Sequence, residues 1–429
     1  MYQKKNNKKI NYSKIFDDLL YLNRSIMGEG YNKSLNILDK FFKFKFYKFI
    51  SGKKIFSWKV PKEWFVKEGY ILTPDKKKIC DYKKNNLHLM NYSSCFNGTL
   101  NLSSLKKILN SNKKLPTAIP YTTTYYNKRY GFNISHNEKK KLKEGLYKVK
   151  INTRFKKGNI ILGERILKGC NKKEFLISSY LCHPSMANNE LSGPLVLLGL
   201  FEKIKNWKFR NYNFKFLVNP ETIGSLCYLQ KKKKSIKKNL VGGIVLTCLG
   251  GPKKKLSFKN SKNNDSSLNK FFKYFNKIGM INLREFTPLT GSDERQYCSP
   301  GFDLPVGQIS RTIYKQYKEY HTSLDNKKFM NLKKIEESVD LIEYYLNVFD
   351  KLNGKIKRSN PYGEVYLNKF DLYKNKNSNN LTKTIIYFLS ESDSNLDVID
   401  IIIKYSLNIE DSINAIKILE KNNIAKLIQ

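Results

Sequence analysis

Four ionisable residues could do chemistry, and two of them follow apolar runs of the sequence. His183 follows the run "EFLISSYLC", and Glu221 follows "NFKFLVN" in the same relative place. Asp293 lies in a Gly-Ser turn within "LTGSDERQY", and His321 lies within "KEYHTSLDN". A lone histidine, or a glutamate after proline, is more often a packed or surface residue than a reactive one. Each residue alone therefore favours a structural role, and only their joint placement suggests chemistry.

Apolar runs alternate with helical patterns between about residues 146 and 355. The strand-like runs are "EFLISSYLC", "NFKFLVN", "GGIVLTCL" and "DLPVGQIS", and the helical patterns are "SGPLVLLGLFEKI", "SLNKFFKYFNKI" and "NLKKIEESVDLIEYYLNVF". This alternation predicts an α/β fold with a mostly parallel sheet covered by helices on both faces. Sites in such sheets form beyond the carboxyl ends of the strands. Histidines and carboxylates converging there are the ligand set of a hydrolytic zinc site.

Three further segments surround this region. "IFDDLLYLNRSI" (15–26) has helical spacing and predicts an opening amphipathic helix. Short β-prone runs between Pro, Gly and Asn turns predict a small β-rich unit from about residue 50. After the polar linker "YKNKNSNN", three short helical patterns and a closing strand are typical of a winged helix. The predicted domains are an α/β domain (1–50 and 146–360), an inserted β-rich domain (51–145) and a winged-helix domain (376–429).

The charge balance offers a competing interpretation. Lys and Arg number 80 against 36 Asp and Glu, a formal net charge of +44, which suggests a polyanionic partner. The lysines are scattered along the chain, however, so we favour a solvated lysine surface. Residues 380–429 contain five lysines and seven acidic residues, a formal charge of −2. A module that neutralises phosphates should be basic, so nucleic acid is disfavoured and protein docking or intramolecular packing is preferred.

The sequence also predicts a location. Asp17 and Asp18 interrupt the apolar stretch that a signal peptide needs. No segment of the sequence reaches the roughly 18 uncharged apolar residues that a membrane-spanning helix requires. The chain has seven cysteines, an odd number, and contains no Cys-x-x-Cys motif. This argues against a framework of disulfide bonds and against a structural zinc site. We therefore expect a soluble, cytoplasmic protein with reduced thiols.

Eight segments together carry a family resemblance: "LNRSIMGEGYNKSL", "FSWKVPKEWFV", "NNLHLMNYS", "IPYTTTYY", "CHPSMANNELSGP", "PETIGS", "GSDERQYCSPGFDLPVG" and "EYHTSLDN". The chain resembles the zinc aminopeptidase superfamily. More closely, it resembles the branch described as polysaccharide-biosynthesis proteins with an aminopeptidase-like domain, which carry an inserted β-rich domain and a C-terminal winged helix. The resemblance covers nearly the whole chain and implies the same architecture here.

The resemblance also implies roles for individual residues. His183, Asp293 and His321 match metal ligands of the superfamily, and Glu221 matches the general base that deprotonates a metal-bound water. Glu190 is a candidate fourth ligand or a replacement for one of the three. The neighbouring Asp325 is a candidate for orienting one of these groups.

Three positions depart from the superfamily pattern. Ser185 replaces an aspartate two positions after the first histidine, Asn189 stands where the bridging aspartate is expected, and Thr222 replaces the second glutamate of a pair. An amide carries no charge to bridge two cations, and a threonine is a weak zinc ligand. We therefore expect one zinc ion rather than two. Whether Asn189 or Glu190 faces the metal stays open, because neighbouring residues of a turn can point either way.

The implied substrate is a small peptide-like or amino-sugar amide, with the insert as a roof over the site. Tyr121, Tyr125, Tyr126 and His88 are candidate wall residues, although packing explains any one aromatic side chain equally well. Arg295 and Arg311 are candidates for holding a substrate carboxylate, or else structural ion-pair partners.

Two alternative functions remain from the sequence. The first is a non-catalytic, metal-containing binding protein descended from an aminopeptidase. The second is a nucleic-acid-binding regulator built on the winged helix. A homo-oligomer, or a protein partner bound through the winged helix, is compatible with all of these functions.

Overall fold

A computed structural model describes residues 10–372 and 379–429. Within this part of the chain the strands are β1 (Lys45–Ile50), β2 (Lys54–Ile55), β3 (Trp58–Lys59), β4 (Glu63–Leu72), β5 (Lys78–Ile79), β6 (Phe96–Asn101), β7 (Leu109–Asn110), β8 (Phe132–Asn133), β9 (Leu146–Lys156), β10 (Asn159–Leu167), β11 (Glu174–Tyr180), β12 (Asn213–Asn219), β13 (Leu240–Leu246), β14 (Ser257–Lys259), β15 (Asn282–Arg284), β16 (Val306–Ser310), β17 (Lys355–Arg358) and β18 (Ala425–Ile428).

The α-helices of the same part of the chain are α1 (Tyr12–Leu20), α2 (Glu29–Phe42), α3 (Leu102–Ile108), α4 (His136–Lys140), α5 (Ser192–Lys205), α6 (Ile223–Asn239), α7 (Ser267–Lys277), α8 (Glu294–Tyr297), α9 (Leu332–Leu352), α10 (Asn379–Ser390), α11 (Val398–Tyr405) and α12 (Ile409–Lys421). A single π-helical turn, Ala187–Leu191, leads directly into α5. None of the helices described here combines the length and the apolar character that crossing a membrane requires.

Eight strands form the main sheet, in the order β1-β10-β12-β11-β13-β16-β14-β15. Its centre is parallel, since β11 pairs in parallel with β12 and β13, and β13 pairs in parallel with β16. Successive side chains of a strand point to opposite faces. In β11, Phe175 and Ile177 therefore join the core beneath α5 and α9, whereas Leu176 joins the core beneath α6. The predicted α/β class, with a mostly parallel sheet covered on both faces, is confirmed.

The β-rich unit extends further than its predicted end at residue 145. Its four-stranded sheet has the order β5-β4-β9-β6, so β9 (Leu146–Lys156) belongs to the insert and the chain returns to the main sheet only at β10. Alternation of exposed and buried residues along β9 fits a sheet with one packed face. The sequence could not place this boundary, because a strand pattern does not reveal which sheet the strand joins.

The opening helix is shorter than its predicted span of residues 15–26. It ends at Leu20, and Arg24 folds back to donate a hydrogen bond to the carbonyl of Leu19. This guanidinium also donates to the carbonyl of His183, 2.9 Å away. The spacing of apolar residues alone would continue the helix. The contact of Arg24 with His183, 159 residues away along the chain, is part of the structure that ends it.

The C-terminal unit contains the three predicted helices, α10 to α12, and the closing strand β18. That strand pairs antiparallel with β17, which follows α9 of the main domain. Ile401 and Ile416 lie in the same buried cluster as Phe349 of α9, and Lys270 of α7 binds Asp400 at 2.8 Å. The unit is therefore packed against the main domain, and its assignment as a winged helix stays a prediction. Of the predicted linker, residues 373–378 lie outside the described residues.

Candidate active site

The predicted site lies where the parallel strands end. His183 follows β11 and Glu221 follows β12, so both leave the same edge of the sheet. Their side chains meet there, with His183 Nε2 3.8 Å from Glu221 Oε2. His321 comes from the loop after β16, and its ring centroid lies 5.1 Å from that of His183. Three of the residues predicted from the sequence are thus brought together.

His183 is held from behind by three contacts. Its Nδ1 lies 2.6 Å from Oε2 of Glu190 and 3.6 Å from Sγ of Cys182. Its carbonyl accepts the hydrogen bond from Arg24 described above. Glu190 also accepts a hydrogen bond from the backbone N–H of Cys182. Both carboxylate oxygens of Glu190 are therefore engaged on the Nδ1 side of the ring, which directs Nε2 towards Glu221.

Cys182, His183 and Glu190 form a buried group whose possible ligand atoms all lie within 4.8 Å of one another. Burial raises the pKa of the Cys182 thiol to about 11, so the thiolate that binds metals is disfavoured at neutral pH. Burial, and then the neighbouring charge of His183, lower the pKa of His321 well below its usual range. The imidazole of His321 is therefore neutral, the form that binds metal ions.

A strained turn carries Glu221. Thr222 has φ 63° and ψ −73°, and the N–H of Ile223 donates to the carbonyl of Glu221 at 2.7 Å. These values describe a γ-turn of the rare, strained type, here with a β-branched residue at its centre. Ser292 Oγ donates to Oε1 of Glu221 at 2.6 Å. The turn and this hydrogen bond together fix the Glu221 carboxylate against the cavity.

Asp293 lies behind this turn. Its Oδ1 accepts hydrogen bonds from the N–H of Thr222 (2.6 Å) and from Ser225 Oγ (3.1 Å), and its Oδ2 accepts one from Asn219 Nδ2 (2.8 Å). Burial, and then the negative charge of Glu221, raise the pKa of Asp293 to about 7. The ligand role that the resemblance implies for Asp293 stays a prediction. In this structure its carboxylate secures the turn that presents Glu221.

A buried ion pair supports the same loop. Lys259 Nζ lies 2.9 Å from Glu294 Oε1, with both side chains at most 2% exposed. The other oxygen of Glu294 accepts the N–H of Ser292 at 2.9 Å. A chain of contacts therefore runs from Lys259 through Glu294 and Ser292 to Glu221.

Asn189 and Asp325 meet at the π-turn before α5. The carboxylate of Asp325 accepts the N–H groups of Asn188 and Asn189, at 2.6 and 2.9 Å. Asp325 thus orients the turn that carries both Asn189 and Glu190. Within the described residues, the buried Nδ2 of Asn189 has no hydrogen-bond partner. Its Oδ1 lies 3.8 Å from Sγ of Cys248.

The insert supplies the roof, and backbone hydrogen bonds fix it in place. The N–H of Tyr121 donates to the carbonyl of His321, and the N–H of Ser323 donates to that of Ile119, both at 2.8 Å. The Tyr121 ring packs against both histidines, with centroid distances of 5.2 Å to His183 and 5.3 Å to His321. Its hydroxyl is 3.0 Å from that of Tyr125.

A cavity of about 250 Å³ opens beside the reactive side chains, and its walls come from both domains. It is lined by Ile26, Trp58, Tyr125, Tyr126, Cys182, His183, Glu221, Thr222 and Ile223. Trp58 and Tyr126 meet edge to face, with their ring centroids 5.5 Å apart. The structure therefore places two of the candidate tyrosines, Tyr125 and Tyr126, in the cavity wall, while Tyr121 packs against the histidines.

The remaining candidates lie elsewhere. Nδ1 of His88 lies 2.9 Å from the carbonyl of Asn133, within the insert. Arg295 donates to the carbonyl of Pro288 at 3.3 Å. Arg311 is buried and donates to Ser338 Oγ and to backbone carbonyls of the 253–254 loop. These contacts are structural, and none of the three residues lines the cavity.

The sequence reasoning missed three residues of this site. Cys248 leaves the end of β13 just as His183 and Glu221 leave theirs, so the same topological argument could have found it. Trp58 lies in a segment that carried the family resemblance, but its role as a cavity wall depends on the folding of the insert. Nothing in the sequence around Ser292 indicated a role in the site, apart from its place next to Asp293.

Comparisons with known proteins agree with this architecture. The sequence matches the family model described as "Domain of unknown function (DUF4910)" over residues 13–352. The chain belongs to this DUF4910 family. A protein of Clostridium acetobutylicum described as a "Putative polysaccharide biosynthesis protein with aminopeptidase-like domain" is 35% identical over 364 residues, which cover 84% of this chain and 82% of that protein. The predicted likeness to this branch is confirmed.

Solved structures extend the likeness to the fold. A crystal structure of a "putative peptidase" from Clostridium acetobutylicum has a TM-score of 0.86 and 31% identity to this DUF4910 chain, covering 97% of it and 95% of the other chain. A zinc aminopeptidase from Bacillus subtilis has a TM-score of 0.56 at 13% identity, covering 78% of this chain and 94% of its own. The DUF4910 chain therefore has an aminopeptidase-like fold and resembles peptidase-like hydrolases.

Proposed function

We propose that this protein is a zinc-dependent hydrolase that cleaves an amide bond, with Glu221 as the general base. The observation that carries the proposal is the approach of His183 Nε2 to Glu221 Oε2, 3.8 Å apart in the wall of a cavity of about 250 Å³. The aminopeptidase-like fold places these groups at the carboxyl ends of parallel strands, where α/β enzymes bind their ligands. The name of the Clostridium relative suggests an amide encountered in polysaccharide assembly.

The two histidines beside the cavity fit a zinc ion. Imidazole nitrogens are common zinc ligands, and the ring nitrogens of His321 have no hydrogen-bond partner between residues 10 and 372 or 379 and 429. We propose that His183 and His321 hold the ion. The hydrogen bond that His183 Nδ1–H donates to Glu190 Oε2 is the contact that typically orients a zinc-binding histidine. The proposal thus gives Glu190 a positioning role, in place of its candidate role as a fourth ligand.

One ion is proposed rather than two. Asn189 brings no charge to the position where a second cation would need a bridging carboxylate. The carboxylate of Asp293 is already bound by three donors of the turn. When bound, zinc lowers the pKa of a water ligand to about 7 and polarises a carbonyl group.

Glu221 performs the proton transfers of the proposed reaction. Its carboxylate removes a proton from the water that attacks the amide carbonyl, so that a C–O bond forms. It then gives this proton to the leaving nitrogen as the C–N bond breaks. Burial raises the pKa of Glu221, which makes the carboxylate a stronger base. The hydrogen bond from Ser292 holds Oε1 and leaves Oε2 facing the cavity.

Metal content tests the proposal first. We expect about one zinc ion per chain by plasma emission, lost in His183→Ala and His321→Ala and retained in the control His88→Ala, whose histidine lies in the insert. Glu221→Gln should retain zinc and lose amide hydrolysis. The absence of zinc after reconstitution of the wild-type protein would contradict the proposal.

The alternative of a non-catalytic, metal-containing binding protein is favoured by one observation: Asn189 stands where a charged bridge is expected, and its Nδ2 has no partner among the described residues. Such a protein would bind zinc and a ligand, and Glu221→Gln would have no turnover to remove. The nucleic-acid alternative has no comparable support, because the C-terminal unit is acidic and packed on α9. A cytoplasmic location remains part of the proposal, since all seven cysteines are free thiols.

A further inference from the structure

We propose that the cavity accepts a short N-acylated amine, and that it discriminates against substrates with a free, protonated amino group. This inference rests on the proposed function, because it names the substrate class of the same site. It differs from what an aminopeptidase-like fold suggests, since aminopeptidases act on free amino termini. Three independent features of the molecule lead to it.

The first feature is the supply of negative charge in the cavity wall. An ammonium group that leaves water needs a carboxylate partner, or its desolvation is uncompensated. Glu221 is the one carboxylate among the cavity-lining residues that the structure describes. Its Oε1 accepts from Ser292 and its Oε2 faces His183.

The other carboxylates near the site are already engaged. Glu190 lies behind His183 and binds the N–H of Cys182 and the imidazole. Asp293 lies behind the Thr222 turn and accepts three hydrogen bonds there. A protonated amine in the cavity would therefore compete for the general base itself, whereas an acylated amine is neutral and does not.

The second feature is the charge of the whole chain. A formal net charge of +44 produces a positive potential that lowers the local concentration of cationic ligands. Salt screens this effect over roughly 10 Å at 0.1 M ionic strength. A neutral ligand approaches without this penalty. The positive potential of the chain and the cavity wall therefore both favour a neutral ligand over a cationic one.

The third feature is the shape and the chemistry of the walls. The cavity of about 250 Å³ is lined mainly by apolar and aromatic side chains, and it is smaller than the roughly 300–1,000 Å³ of typical small-molecule pockets. At its mouth, Trp58 is 38% exposed and Tyr126 is 50% exposed. These two exposed rings meet edge to face and offer an apolar surface. A short acyl group can pack on it, and so can an amino acid side chain or the face of a sugar ring.

Matched ligand pairs test the inference directly. The pairs are N-acetyl-L-leucinamide with L-leucinamide, and N-acetyl-D-glucosamine with D-glucosamine, at about pH 6.5, where an α-amine is mostly protonated. Binding to the full-length, zinc-loaded wild-type protein is followed by tryptophan fluorescence within the mixing time, before turnover. The same titrations in Glu221→Gln show whether the preference persists without the carboxylate.

We expect the acetylated member of at least one pair to bind about tenfold more tightly than its free amine. The pair that shows the preference identifies an amino acid or an amino sugar as the source of the acylated nitrogen. Equal binding within both pairs, tighter binding of the amines, or no saturable binding of any ligand overturns the inference. Binding of the acetylated ligand without cleavage would overturn the proposed hydrolysis alone, so the two failures are distinguishable.

Variants of the mouth provide a second test. Trp58→Ala and Tyr126→Ala should each weaken binding of the preferred acetylated ligand about fivefold by calorimetry, because each removes an aromatic contact. Phe209→Ala, an exposed ring that does not line the cavity, is the matched control and should bind as the wild type does. Unchanged affinity in both mouth variants contradicts the inference, and circular dichroism verifies that each variant is folded.

Discussion

Replacing Lys259 by methionine should destabilise the protein strongly. The ammonium group lies 2.9 Å from Glu294 Oε1, and the two side chains are 2% and 0% exposed. It also donates to the carbonyls of Thr287 and Thr290. Methionine fills a similar volume but leaves the Glu294 carboxylate buried without a countercharge. Breaking a buried pair in this way costs about 3–5 kcal/mol.

An exposed ion pair of the same length is the control. Lys203 lies 2.8 Å from Asp340, but the two side chains are 44% and 65% exposed. Water and salt screen such a pair, so Lys203→Met should lower the free energy of unfolding by less than about 1 kcal/mol. The distances are nearly equal, and burial therefore determines the difference between the two variants.

Urea unfolding followed by circular dichroism measures both effects. The double variant Lys259→Met/Glu294→Gln should recover part of the loss, because it removes the unpaired charge. A free energy of unfolding for Lys259→Met within about 1 kcal/mol of the wild type would refute the reasoning. So would a double variant that is no more stable than the single one.

Three further predictions concern the site and the main-domain helix α9. Thr222→Gly should raise the free energy of unfolding by about 1 kcal/mol in urea titrations, because glycine adopts a positive φ without strain; a lower value would contradict the strained turn. Glu190→Gln should weaken zinc affinity about 10- to 100-fold in competition with a chelator, and unchanged affinity would exclude its positioning role. Burial raises the pKa of Asp350 to about 6, so its native carboxyl binds a proton more tightly than the unfolded chain does. The stability of the wild type relative to Asp350→Asn should therefore fall by about 2 kcal/mol from pH 4 to pH 7, with the exposed Asp340→Asn variant of the same helix as control; a constant difference would disprove the pKa shift.

The sequence predicts the main sheet well, for a simple physical reason. Strands buried on both faces are continuous apolar runs, and β11, β12 and β13 are visible as such without any knowledge of their neighbours. The meeting of His183 and Glu221 follows from parallel strand ends. The helices α5 and α9 are equally visible from their length and spacing.

What the sequence could not predict depends on contacts between distant segments. The end of α1 is set by Arg24, whose partner His183 is 159 residues away. The roles of Glu190 and Asp293 depend on which way each carboxylate points from its turn, and only the folded backbone determines that direction. The boundary of the insert was misplaced because β9 has the pattern of a strand that either sheet could accept.

The backbone hydrogen bonds between the insert and the His321 loop have a consequence for the kinetics of the site. A roof of this kind cannot swing open as a rigid lid without breaking the pairing at Tyr121 and Ser323. Lid motions take microseconds to milliseconds, whereas exposed side chains change rotamer in picoseconds to nanoseconds. Passage into the cavity is then governed by the rotations of Trp58 and Tyr126. Ligand association should be a single fast phase, with no slow step of closure to follow it.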